Sequence, residues 1–233
     1  MLFVWCYCKE TEKDNELELS IHSVKKFFQG KAEILVVGDR PVCVNLVDTF
    51  IDCPRIGFQQ LRSNVDVINK LSRLLMHPNL PDTFVWMMDD IHFINPITMD
   101  DLYTLRYQED IPEKKPIRAG LKQTTREMLE KAGYKYFDFA THAPHVINVE
   151  YLVETLDIVK SHPKLPLWET LYECMWRGPK EVEPVTPFLV RVLYPHSPEQ
   201  RAEYKKNHKV LNHNDPGFSP ELKEWLEQNI CEQ

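Results

Sequence analysis

The stretch Phe84-Val85-Trp86-Met87-Met88-Asp89-Asp90-Ile91-His92-Phe93 decides how this chain is read. Phe84 to Met88 is short and apolar all round, the pattern of a strand buried on both faces in the middle of a sheet. Two neighbouring carboxylates at its exit repel each other, and a divalent cation is the usual way to offset that repulsion. Oxygen ligands suit magnesium, manganese and calcium. An acidic pair where a strand opens into a polar loop is where an α/β sheet holds a metal and a phosphorylated ligand. The plain alternative is a solvated turn with two surface acids.

Working outward, the first half alternates strand and helix. Leu2 to Cys8 is predicted as a strand, Asn15 to Phe28 as a helix ended by Gly30, and Glu33 to Val37 as a second strand closed by Gly38-Asp39-Arg40-Pro41. Phe50 to Pro54 follows as a short third strand, and Val65 to Met76 as an amphipathic helix stopped by His77-Pro78. This order builds a parallel sheet by right-handed crossovers, with the loops at Lys9, Gly38 and Asp89 sharing one rim. Later come a charged loop, Asp110 to Lys115, a candidate lid; a helix from Thr124 to Ala132; and a short aromatic strand, Tyr136 to Phe139. Helices are expected over Val149 to Lys160 and Trp168 to Trp176, a last strand over Phe188 to Leu193, and a terminal helix over Pro220 to Gln228 beyond a polar stretch.

The chain's 233 residues fit one large domain, or a domain with an appendage. A net charge of -7 argues against a general nucleic-acid binder, although Arg201, Lys205, Lys206, His208 and Lys209 form a local basic run. No apolar run approaches the roughly 18 residues that span a bilayer. Met1 to Lys9 lacks a basic leader and a cleavage pattern, so it reads as the first strand rather than a signal peptide. The six cysteines contain no CxxC pair and read as reduced structural thiols of a cytoplasmic protein.

Candidate chemistry gathers in four places. In an extended stretch Asp90 and His92 point one way and Asp89 the other, so one carboxylate could face a metal, with His92 a ligand or a histidine packed under the turn. His142 and His145, stiffened by Pro144, could complete a metal site, bind a diphosphate or simply form a turn. Arg62, Asn64, Asp66, Lys70 and Arg73 form a polar-basic cluster that either neutralises a leaving diphosphate or makes a surface ion-pair ladder. Glu169, beside Trp168, is a candidate general base toward an acceptor hydroxyl, or a first-turn acid that complements the helix dipole.

These blocks resemble the GT-A class of nucleotide-sugar glycosyltransferases. The resemblance lies in the opening strand leading to Glu16-Leu17-Glu18-Leu19-Ser20, the Val36-Val37-Gly38-Asp39-Arg40-Pro41 turn, and the acidic strand, which is similar to a DxD-type signature. Thr141-His142-Ala143-Pro144-His145 and Asn214-Asp215-Pro216-Gly217-Phe218-Ser219 look like elements of bacterial capsule-type sugar transferases, including the Stealth group. The resemblance implies a GT-A-like, mostly parallel sheet flanked by helices, with a catalytic domain over 1–195 and a C-terminal extension over 196–233. It implies a metal-dependent transferase using Mn2+ or Mg2+ and a nucleotide-sugar donor, UDP-linked by preference, toward a glycan or another hydroxyl acceptor. A modified base in DNA is a less favoured acceptor. Asp89 and Asp90 would hold metal and diphosphate, with His142 or His145 on the donor side. Lys9, Asp39 and Arg40 would surround base and ribose, with Arg62, Asn64 and Lys70 nearby. The motif reads Asp-Asp-Ile-His rather than Asp-x-Asp, so His92 replaces the second metal carboxylate or that ligand is absent. The alternatives are a sugar-1-phosphate transferase and a non-catalytic nucleotide- or sugar-binding module.

Overall fold

The structure is a computed structural model that describes residues 1–55, 62–108, 116–177 and 182–231. Its first elements are β1 (Leu2–Tyr7), α1 (Glu16–Phe27), β2 (Glu33–Gly38), β3 (Thr49–Asp52), α2 (Arg62–Leu74) and β4 (Thr83–Met87). Then follow β5 (Ile91–Phe93), α3 (Met99–Tyr103), β6 (Leu105–Tyr107), α4 (Pro116–Lys131), β7 (His145–Asn148), α5 (Val149–Ser161) and α6 (Trp168–Tyr172). β8 (Val182–Pro184), β9 (Leu189–Val192), α7 (Pro198–Asn207), β10 (Val210–His213) and α8 (Pro220–Ile230) complete the described chain.

The main sheet runs in the order β3-β2-β1-β4-β7, parallel except for the edge strand β7. Alternation along the strands divides the core between two faces. Leu2, Val4, Phe84 and Trp86 pack against α2, α5 and α6, with the Trp86 and Trp168 rings meeting edge to face at 5.8 Å. Phe3, Trp5, Val85 and Met87 pack against α1 and β5. Each fully buried side chain of this size contributes about 1.5–3 kcal/mol. A second sheet, β5-β10-β9, stands beside the first, with Leu211, Val192 and Leu19 packed against α8. No described helix is long and apolar enough to cross a membrane.

The parallel register brings the carboxyl ends of β1, β2 and β3 level, with Tyr7 opposite Gly38 and Gly38 opposite Asp52. Only glycine fits at 38. Its φ is +143°, and a Cβ there would lie 1.9 Å from the Tyr7 carbonyl oxygen.

Several expectations change. α1 turns extended at Phe28, before Gly30. Tyr136 to Phe139 is not a strand; it contributes one bridge, Asp138 to Gln108, while the Phe137 ring packs edge-on against Tyr107. The edge of the main sheet is formed by β7 instead. α4 starts at Pro116, earlier than expected, and Gly133, at φ +82°, lies just past its end. The helix begun at Trp168 widens into a π-turn over Glu173–Arg177. The polar stretch after Pro195 contains α7 and β10, so Phe188 to Leu193 is not the last strand. The expected lid at Asp110 to Lys115 lies outside the described residues.

Candidate functional site

Asp89 and Asp90 form the turn between β4 and β5, closed by the Ile91 amide on the Met88 carbonyl at 3.2 Å. This turn breaks the extended alternation that would have put Asp90 and His92 on one side. Asp90 stays on the rim, and His92 enters β5 and is buried.

The Asp90 carbonyl is held by the Asn212 side-chain amide (3.2 Å) and the His213 backbone amide (3.3 Å), both from β10. Its carboxylate Oδ2 lies 3.0 Å from His142 Nδ1, while Oδ1 is buried with no hydrogen-bond partner. His142 occupies the left-handed region at φ +51°, a conformation that costs energy for a side chain of this size. The loop before it is strapped down by Arg191 on the Thr141 carbonyl (2.6 Å) and Arg118 on the Ala140 carbonyl (3.0 Å). Burial alone would raise the Asp90 pKa, but His142, together with His213 and the Asn212 amide, more than offsets it and holds the carboxyl below its ordinary range. Asp89 has no such partner. Burial, reinforced by the Asp90 charge, pushes it up to about 7.

A second array runs inward from the same turn. His92 Nε2 and His213 Nε2 lie 2.9 Å apart with their rings stacked, and His213 also stacks on Phe218. His213 Nδ1 is 3.6 Å from a Glu16 carboxylate oxygen. Burial lowers both imidazoles, His92 well below its ordinary value and His213 to about 4, and raises Glu16 to about 8. Two neutral rings at this distance share one proton, one ring donating and the other accepting.

Of the four expected metal ligands, the structure brings together Asp90 and His142. His92 is taken by His213. His145 is taken by Glu173, whose Oε1 lies 3.1 Å from its Nδ1, with Arg177 at 3.5 Å from the other oxygen. Among the described residues no three His, Cys, Asp or Glu side chains are grouped to hold a metal ion.

Lys9 and Asp39 meet at the rim, where the Lys9 backbone amide donates to Asp39 at 2.9 Å, and Arg40 is exposed beside them. Lys70 lies beneath that rim. It is 0% exposed, its ammonium donates to Asp66 at 2.7 Å, and its chain lies against Gly38. The i, i+4 pair expected on the helix surface is therefore an internal one. Asn64 is half-buried on α2, and the Arg62 side chain lies outside the described residues. Glu169 is half-buried in the first turn of α6; Glu173, one turn on, is the acid that joins a cluster. The basic run is largely paired internally, Lys206 with Glu203 (2.7 Å) and Lys209 with Asp101 (2.7 Å).

Sequence reasoning missed Glu16, Glu173, Arg191, Asn212 and His213. One signal was present for the last two: the Asn214-Asp215-Pro216-Gly217 turn directly after them. A Cβ at Gly217 would lie 1.9 Å from the Val192 carbonyl oxygen, so this glycine lets the turn close on β9.

Two solved structures share this architecture. The galactosyltransferase LgtC in complex with donor and acceptor sugar analogues superposes with a TM-score of 0.53, covering 99% of this chain and 96% of that one at 11% identity. An active-site mutant of LgtC gives a TM-score of 0.53 over 97% and 94% of the two chains, at 10% identity. The chain has a GT-A fold. At such identities the likeness is one of fold. The sequence matches no protein-family model and no curated protein. In GT-A terms the Asp89-Asp90 turn lies at the carboxyl end of a central strand, on the rim where sheets of this kind take ligands.

Proposed function

We propose that this chain is a glycosyltransferase that moves a sugar from a nucleotide-sugar donor, UDP-linked by preference, to a hydroxyl acceptor. The observation that carries the reading is the adjacent carboxylate pair at the exit of β4, one oxygen of which is buried and unpartnered. A divalent cation fits this pair. It would take up the orphaned Asp90 Oδ1 and offset the burial and the Asp90 charge that together push Asp89 up to about 7. One or two protein carboxylates suffice when phosphate oxygens complete the shell. Asp89 and Asp90 would hold Mn2+ or Mg2+, which when bound supplies positive charge to the leaving nucleoside diphosphate.

The chain's own residues do the rest. His142 and the β10 contacts hold Asp90 in place. Lys9, Asp39 and Arg40 line the side of the rim assigned to base and ribose. Glu169, half-buried in the first turn of α6, is assigned to take the acceptor's proton. In this reading 1–195 is the catalytic domain, and 196–233 is an extension that lends it Asn212 and His213. The free thiols suit a reducing, cytoplasmic setting.

Titration calorimetry with UDP, with and without manganese, tests the reading, together with a screen of UDP-hexoses for slow release of UDP. Metal-dependent binding and donor hydrolysis are expected. Glu169→Gln should leave UDP binding intact and slow transfer by about a hundredfold. Binding that ignores both manganese and EDTA would overturn the metal assignment, and no nucleotide binding at all would overturn the function.

A further inference from the structure

The place of His142 is set by side chains rather than by a sheet. Residues 139–144 belong to no helix or strand, although they lead into β7. The Thr141 amide closes a three-residue turn on the Phe139 carbonyl at 2.7 Å. The Phe139 amide donates to the Thr170 hydroxyl and the Ala140 amide to an Asp138 carboxylate oxygen, each at 3.1 Å. Two guanidiniums take the carbonyls that follow, Arg118 that of Ala140 and Arg191 that of Thr141, the last before the left-handed His142. An imposed conformation of this kind persists only where the surroundings over-determine it.

Arg191 differs from the other straps in where it stands. The second sheet puts Ile91 of β5, Asn212 of β10 and Arg191 of β9 on one rung. Ile91 follows Asp90 directly, and the Asn212 side-chain amide holds the Asp90 carbonyl at 3.2 Å. Neighbours on a rung project to the same face, so Arg191 leaves the sheet on the side of Asn212. Its fork makes two bonds, one to the Thr141 carbonyl at 2.6 Å and one to the Gln108 side-chain oxygen at 3.0 Å. The Gln108 backbone amide in turn donates to the Asp138 carbonyl at 2.8 Å, closing a ring of contacts around 138–141. Burial and the nearby Arg118 both disfavour the charge on Arg191, so the group stands there at a cost.

We infer that Arg191 is a positioning residue for the cation site. One rung then fixes both halves of the Asp90–His142 contact, Asn212 through the Asp90 carbonyl and Arg191 through the turn that presents His142. The inference rests on the metal assignment above and adds to it the residue that pre-places the carboxylate. Lysine is no substitute here, because a compact ammonium on a flexible stem lacks the planar fork that spans both oxygens.

The test is titration with manganese in saturating UDP, followed by the electron spin resonance of the free ion. Arg191→Lys keeps the charge and should weaken manganese binding by about tenfold or more, the usual cost of losing an outer support of a metal ligand. In a His142→Ala background the same substitution should cost less than about twofold further, since its effect passes through His142. A merely structural Arg191 would weaken both backgrounds alike, and a merely electrostatic one would leave Arg191→Lys at the parent affinity; either result overturns the inference. Should Arg191→Lys fail to fold, Gln108→Leu releases the other end of the fork and is read in the same way. It should give a smaller loss in the parent background and none beside His142→Ala, and an unchanged parent affinity overturns the inference as well. If the wild-type protein takes up no manganese with UDP, the metal assignment fails first and this inference falls with it.

Discussion

Two pairs of side chains leave the Asp89-Asp90 turn and end in opposite states. Asp90 and His142 remain 20% and 32% exposed, oppositely charged when the imidazole is protonated, with one carboxylate oxygen unmatched and the histidine backbone in a costly conformation. His92 and His213 are fully enclosed, stacked and held neutral by burial. The first pair stores cost at the surface, as a ligand site does. The second joins β5 to β10, so its polar atoms serve the seam of the second sheet. A histidine two residues from an acid can thus belong to the scaffold while one 52 positions away belongs to the site.

The comparison breaks most sharply by mutation at its two ends. Asp90→Ala should lower manganese-dependent UDP affinity by about a hundredfold or more, because it removes the pre-placed charge. Its effect on stability should be small, since the lost His142 contact is set against relief of the Asp89 repulsion. His92→Ala should do the reverse, costing about 2–4 kcal/mol through the cavity and the unpaired His213 nitrogen while nucleotide binding survives. Urea unfolding and calorimetry on both variants decide it. Exchanged phenotypes would mean that the buried pair, not the exposed one, is the functional arm.

The division also explains what the sequence could disclose. β1, β2 and β4 are near-continuous apolar runs, and apolar runs are readable. β10 is not one: half of Val210-Leu211-Asn212-His213 is polar, and those residues are buried because Asn212 reaches the Asp90 carbonyl and His213 reaches His92. Their partners lie about 120 positions earlier, beyond the reach of any local pattern. α7 buries only Tyr204, so it has no apolar stripe, although Ser197-Pro198 with Gln200 forms a readable capping box. At the site, adjacency identified Asp89 and Asp90, but the turn that sends His92 inward depends on pairing with β10. Lys70 and Asp66 show the same limit: their spacing fits a surface ion pair, and only the packing of α2 beneath Gly38 shows that it is internal.

Titration sharpens the contrast by a smaller amount. Glu16 in the inner array and Asp89 on the turn both have folded pKa values raised above the ordinary 4.5 and 3.8, to about 8 and about 7. A raised carboxyl favours the folded state while protonated, so the contribution is complete below about pH 4 and is lost as pH climbs through the folded values. In EDTA, stability should fall from about pH 5 to about pH 8. Manganese should remove the Asp89 share of that slope, and Glu16→Gln should remove the inner share whether or not metal is present. A slope insensitive to both would show that neither carboxyl is held away from its ordinary range.

The smallest expected effect concerns the cation that the sequence placed at the diphosphate. Lys70 is enclosed against Gly38, with its ammonium held by Asp66. Replacing both partners by apolar residues of similar volume is often neutral for a buried pair, whereas removing one strands the other. Lys70→Met with Asp66→Leu should therefore stay within about 1–2 kcal/mol of the parent in urea. Lys70→Met alone should cost more, because Asp66 keeps its charge. UDP affinity in manganese should change by less than about threefold in the double variant, since equal and opposite charges leave together. A much larger loss of affinity in a stable double variant would return Lys70 to the diphosphate and extend the functional arm from Asp90 across the rim to α2.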